Sequence, residues 1–137
     1  MYIFDMNIEY RHNYPLDPSD VARVFESSGI RRPCSDIPRI ARMFAASNLV
    51  LSAWFDHKLV GVSRALTDHA YCCYLSDLAI DKQYQHLGIG KELIRRTRVL
   101  IGDQVSLILF ASPEAMSYYP KLGFELADNA YIIRRTQ

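Results

Sequence analysis

Hydrophobic positions along this chain follow two periods, and the switches between them mark out the elements. Val21, Val24, Phe25 and Ser28 fall on one helical face, and Ile37, Ile40, Ala41 and Phe44 repeat the same i, i+3, i+4, i+7 spacing. Asp17-Pro18-Ser19-Asp20 opens the first of these helices with an N-cap aspartate, a first-turn proline and an acid three residues after the cap, and Gly29 closes it. The second ends near Ser47-Asn48. From there the period becomes two. Residues 49–55 and 59–65, joined by the turn Asp56-His57-Lys58, read as a β-hairpin, and 71–80 as a long strand after the turn around Thr67-Asp68-His69. A helix over 91–101 and a strand over 105–110 follow. Ser112-Pro113-Glu114 then opens a fourth helix that Gly123 closes, with Ser112 as its cap. Strands over 7–11, 124–127 and 131–134 complete the order.

The whole chain, 1–137, reads as a single domain without linker or repeat. A domain of this length buries roughly two-thirds of the surface its unfolded chain exposes. Sixteen Lys and Arg against fifteen Asp and Glu leave a formal net charge of +1. That balance lacks the basic excess of a nucleic-acid binder. Three cysteines, two of them the adjacent Cys72 and Cys73, form no disulfide framework, and no Cys/His set has zinc-ligand spacing, so no metal is expected. Met1 to Met6 is apolar but too short and too uncharged for a signal peptide, and no apolar run reaches membrane-spanning length. The expected compartment is the cytoplasm, with no membrane partner.

The candidate chemistry begins at Gln85-His86-Leu87-Gly88-Ile89-Gly90, which lies between the apolar strand ending at Asp81 and the helix starting at Lys91. A strand, a short loop with two glycines and a helix start can hold a pyrophosphate. Backbone N–H groups at the helix start point at the anion, and the positive end of the helix dipole adds to them. Glycine lets phosphate oxygens approach the main chain and accepts backbone angles other residues resist. Downstream, after the 105–110 strand, stands Ser117-Tyr118-Tyr119-Pro120-Lys121-Leu122-Gly123-Phe124. The ordered pair, Gln-x-x-Gly-x-Gly and then Tyr-x-Lys-Leu-Gly-Phe, resembles the GNAT superfamily of acyl-CoA-dependent N-acetyltransferases. The likeness extends over nearly the whole chain and is most specific from Tyr71 to Phe124.

The resemblance implies an α/β fold with a mixed central sheet of about six to seven strands and about four flanking helices. It implies acetyl-CoA as acyl donor, held along a splay between the strands over 71–80 and 105–110. The main chain of Leu78, Ala79 and Ile80 is expected to pair with the pantetheine arm, with an N–H near Leu78 facing the thioester carbonyl. Gln85 orients the loop, and the backbone of Leu87, Gly88, Ile89, Gly90 and Lys91 takes the pyrophosphate, with charge from Lys91 and, below neutral pH, from His86. Ser112 stands where many members carry an asparagine, and Pro120 interrupts the final helix beside the active tyrosine position. Tyr119 is the expected general acid for the departing thiolate and Tyr118 the packing aromatic. Asp77, an acid inside an apolar strand, is the expected general base, because such a residue is costly there unless exposed, paired or working. The alternatives are a core aromatic with a satisfied hydroxyl for Tyr119, and a solvent-facing or capping position for Asp77.

The expected reaction is acetyl transfer to a primary amine, and a small-molecule acceptor is favoured over a protein tail because no extra domain or charge tract is visible. Direct attack in a ternary complex needs no covalent enzyme intermediate. The alternative from another class is a non-catalytic acyl-CoA-binding regulatory module, indifferent to Tyr119 and Asp77. The oligomeric state is not readable from the chain: Tyr131-Ile132-Ile133, on an expected terminal strand, suits a homodimer interface and equally a finished edge.

Overall fold

The computed structural model describes residues 7–137; the expectation that Met1 to Met6 is no signal peptide lies outside the described residues. Strand β1 (Glu9–His12) leads to helices α1 (Pro18–Ser28) and α2 (Ile37–Ala45). Strands β2 (Leu49–Phe55), β3 (Lys58–Thr67) and β4 (Cys72–Ile80) follow, then α3 (Ile89–Ile101) and β5 (Ser106–Ile108). The sheet order is β1-β2-β3-β4-β5, antiparallel as far as β4 and parallel between β4 and β5.

Local chemistry explains most of these boundaries. The Asp17 carboxylate accepts the Ser19 N–H at 2.8 Å, Pro18 supplies a helical φ, and Gly29 ends α1 at φ 85°. Asp36 caps α2 through the Arg39 N–H. The β2–β3 hairpin closes on Asp56 and His57, whose φ angles of 50° and 65° match the two-residue loop that follows strand twist.

One face of the sheet packs on α1 and α2, where Val50, Val62 and Ala79 meet Val21, Val24, Phe25 and Ile40. The other packs on α3, where Leu51 and Ala53 meet Ile89 and Leu93. β4 serves both by breaking its own alternation. Arg64 pairs with Asp77 but the next residue, Ala65, pairs with Leu75, so Ser76 is an extra residue in β4. Before this bulge the odd residues Cys73 and Leu75 face α3, beside Ile94 and Ile101. After it, the odd Ala79 faces α1 while Leu78 and Ile80 face α3.

The chain departs from expectation after β5. The regular sheet has five strands and the described chain three α-helices, fewer than expected. In place of a fourth helix stand two 3₁₀ turns, Pro113–Ala115 and Tyr119–Leu122. Pro120 lacks the N–H that a continuous helix would use, and Gly123 at φ 94° ends the second turn. Ser112 occupies the cap position but makes no side-chain cap bond, contrary to its expected role. Residues 124–127 and 131–134 are not strands. A strand forms only against a partner, and here Leu126, Tyr131 and Ile133 stand 76%, 98% and 100% exposed.

Candidate active site

The central feature is where β5 stops following β4. Their pairing runs Cys72↔Ser106, Cys73↔Leu107 and Tyr74↔Ile108 and goes no further. Past Tyr74, β4 continues to Ile80 with β3 on one side only. Alternate backbone N–H and C=O groups of this half of β4 therefore face a gap. Leu78, Ala79 and Ile80 lie on this half of β4, the edge along which a splay was expected.

At the end of that gap lies the glycine loop. A 3₁₀ turn, Lys82–Tyr84, follows Asp81, and Gln85 sends its Nε2 back to the Ile80 carbonyl at 3.0 Å. This bond ties the Gln85 side chain to the end of β4. His86 and Gly88 take left-handed φ angles of 66° and 86°. A Cβ branch at Gly88 would be strained, whereas Gly90, at the first turn of α3, is buried against β4. Gly88 is the N-cap of α3, and no side chain caps the helix. The first intrahelical donor is the Glu92 N–H, which reaches the Gly88 carbonyl at 3.0 Å. The N–H groups of Ile89, Gly90 and Lys91 thus have no intrahelical acceptor. A serine or aspartate at the cap would have competed for them. Lys91 and His86 are exposed at this end.

Tyr119 sits on the α3 side of the gap. It is partly buried in the cluster that holds Leu75 and Ile94, with Leu78 and Phe124 beside it. Its ring lies edge-on to Tyr118 at 5.2 Å and to Phe124 at 5.5 Å between centroids. Burial pushes the Tyr119 phenol above its ordinary value, with Tyr118 adding to the effect. The group is a phenol at neutral pH, able to give a proton. Ser112 is exposed, on the loop between β5 and the first 3₁₀ turn.

Asp77 has an environment that the sequence did not suggest. It is 0% exposed and lies on the α1/α2 face of the bulge. Arg64 Nε donates to one carboxylate oxygen at 2.5 Å and Arg32 Nε to the other at 2.6 Å. Arg64 also donates to the Ser76 hydroxyl at 2.8 Å and the Ser47 hydroxyl at 3.1 Å, and Arg32 to the Ser76 carbonyl at 2.7 Å. The acid thus joins the α1–α2 connection, β3 and the β4 bulge. Both oxygens are engaged by guanidinium groups, an arrangement that fits a proton acceptor poorly. Arg64 was the missed residue here. Its signal was a cation inside the apolar run of β3, in register with an acid on the next strand.

Asp81 was missed as well. It caps the turn through the Gln83 N–H at 3.0 Å and meets Arg23 at 3.4 Å and Lys58 at 3.9 Å, fixing the start of the loop against α1 and β3. Away from these groups, a cleft of about 460 Å³ beside α2 is lined by Tyr14, Leu16, Phe44 and Ser47 among others. Ser47 is its link to the Asp77 network. Among the described residues no cluster of His, Cys, Asp and Glu could hold a metal ion, and no helix is long and apolar enough to cross a membrane.

Comparison with known proteins agrees with this architecture. A stretch of 72 residues, 51% of the chain, is 38% identical to GCN5-related N-acetyltransferase 2, chloroplastic, of Arabidopsis thaliana. Another of 70 residues, 50% of the chain, is 37% identical to Histone acetyltransferase TAP1 of Glycine max. The matches span only 28% and 30% of those relatives' lengths. The fold superposes on aminoglycoside N-acetyltransferase AAC(6')-Iy, solved in complex with CoA, with a TM-score of 0.70 at 16% identity, covering 96% of this chain and 97% of that one. The family model of the acetyltransferase (GNAT) domain matches residues 22–133, from the first helix through the splay and glycine loop into the tail, and the chain belongs to that family.

Proposed function

We propose that this domain is an N-acetyltransferase that takes acetyl-CoA as donor and acetylates a primary amine of a small molecule by direct attack. The observation that carries the reading is one continuous path: the unpaired half of β4, opening at Tyr74, ends at the uncapped start of α3. Such a path suits a long donor with an amide-bearing arm and an anionic head. In this reading the free N–H groups of Ile89, Gly90 and Lys91 take the pyrophosphate, and Leu78 to Ile80 pair with the pantetheine amides. The amine nitrogen attacks the thioester carbon, and an N–H near Leu78 holds the resulting oxyanion. As the C–S bond breaks, Tyr119 gives its proton to the leaving sulfur.

Asp77 changes role in this proposal. With both oxygens bound to arginine, it anchors Arg32 and the α1–α2 connection over the bulge, and the amine proton passes to water. In this reading the acceptor enters beside that connection, near Arg31 and Arg32. The free thiols of Cys34, Cys72 and Cys73 are in keeping with a reducing compartment such as the cytoplasm. The open edge of β5 and the exposed apolar tail support a homodimer.

Thermal unfolding with acetyl-CoA, and with ATP and NAD as controls, tests the donor. Acetyl-CoA at about a hundred times its Kd should add roughly 2.7 kcal/mol of stability to the wild type. Gly88→Val, strained at φ 86°, should lose that shift. Thiol release is then followed with a panel of small amines and a lysine-bearing basic peptide. Turnover on the peptide alone would replace the small-molecule acceptor with a protein one. A shift with acetyl-CoA but no turnover on any amine, together with indifference to Tyr119→Phe, would favour the acyl-CoA-binding regulatory module.

A further inference from the structure

The sequence motif assigns Tyr118 to packing, yet its hydroxyl reaches the glycine loop's helix start. It lies over the first turn of α3, 2.9 Å from where a Cβ on Gly90 would stand. The same point is 3.8 Å from Leu78 Cδ2 and 3.9 Å from Ile80 Cγ1, so the hydroxyl marks the place where the splay meets the helix start. Tyr118 is 37% exposed, so its side chain is only partly enclosed. Its ring is edge-on to that of Tyr119.

We propose that the Tyr118 hydroxyl donates a hydrogen bond to the coenzyme pyrophosphate, completing with the α3 N–H groups the cradle for its charge. The inference rests on the coenzyme reading above and adds a side chain to a site otherwise built from backbone. Its chemistry is suited to the task. Burial raises the phenol above its ordinary value, so it keeps its proton at neutral pH and meets an anion as a donor. The bare Gly90 is the condition for this placement, because a methyl there would push the hydroxyl off the helix start.

The test compares acetyl-CoA with S-acetylpantetheine, which has the thioester arm and no phosphate, by calorimetry on wild type and Tyr118→Phe. The loss of a hydrogen bond to a charged group should weaken acetyl-CoA about 10- to 100-fold and leave S-acetylpantetheine unchanged. Gly90→Ala supplies the second arm. It should weaken acetyl-CoA in the wild type and weaken it less in Tyr118→Phe, where the methyl no longer meets a hydroxyl. If Tyr118→Phe weakens both ligands alike, the role is packing and the proposal is overturned. Unchanged or tighter acetyl-CoA binding in Tyr118→Phe overturns it too. Wild type that binds no acetyl-CoA would instead remove the coenzyme reading itself, so the two failures are distinct.

Discussion

Tyr119 and Asp77 show how far one residue's surroundings determine its role. A phenol raised by burial keeps its proton at neutral pH and so has one to give, although it is a weaker acid than a free tyrosine. Tyr119 packs against the same apolar cluster as Leu78. Tyr119→Phe keeps the ring and its contacts with Tyr118 and Phe124, so acetyl-CoA affinity should hold while turnover falls by roughly 10²–10⁴-fold. Steady-state thiol release together with calorimetry separates the two. Asp77→Asn should behave in the opposite way. It leaves Arg32 and Arg64 facing each other across a neutral amide, in a site where the carboxylate is 0% exposed. Removing one partner of a buried ion pair costs about 3–5 kcal/mol. Urea denaturation should therefore register the loss directly. A stable Asp77→Asn protein with abolished turnover would restore the general-base role.

Among the elements, those with local punctuation were legible from the chain. Asp17 and Gly29 bracket α1, and Asp56-His57 closes the hairpin, because caps and tight turns are decided by a few neighbouring residues. The Ser76 bulge was not legible. Strict alternation from Cys73 would put Leu75, Asp77 and Ala79 on one face, and only the cross-strand register with Arg64 and Ala65 reveals the switch. The glycine loop and its tyrosine partner were visible as motifs, but the tie from Gln85 to Ile80 and the placement of Tyr118 arise from tertiary contact. The turn before β4 carries its own prediction. Asp68 accepts the N–H groups of Ala70, Tyr71 and Cys72 at 2.8, 2.7 and 3.1 Å. These bonds, the Ala70 one foremost, hold its carboxyl at about 2. A depressed folded value means that the stabilisation is fully present above the ordinary carboxylate range, near pH 4, and is lost as pH falls through about 2. The Tm advantage of wild type over Asp68→Asn should accordingly shrink on acidification from pH 5 to 2. Glu92, held at about 2 chiefly by Arg95, loses its share in both proteins and so cancels in that difference.

At the scale of the whole molecule, the sheet is unfinished on one side. β5 pairs with β4 through three residues and nothing pairs with its other edge among the described residues. Ile108 and Phe110 are 48% and 56% exposed there, while the tail carries Leu126, Tyr131, Ile132 and Ile133 exposed in turn. An open edge beside an apolar segment of strand-forming residues invites pairing, and exchange of such a segment between identical chains satisfies both at little cost. The strands expected over 124–127 and 131–134 are absent from the single chain, which leaves these residues without a partner. Light scattering on the eluted protein should give the mass of two chains, and deletion of residues 125–137 the mass of one. Ile108→Lys, which puts a charge on the β5 edge and leaves the tail intact, should also yield the single-chain mass. A wild type that elutes as one chain at high micromolar concentration would overturn the dimer. The two variants together separate the tail from the edge it is expected to join: a deletion that dissociates the dimer while Ile108→Lys does not would place the tail's contact elsewhere than on β5.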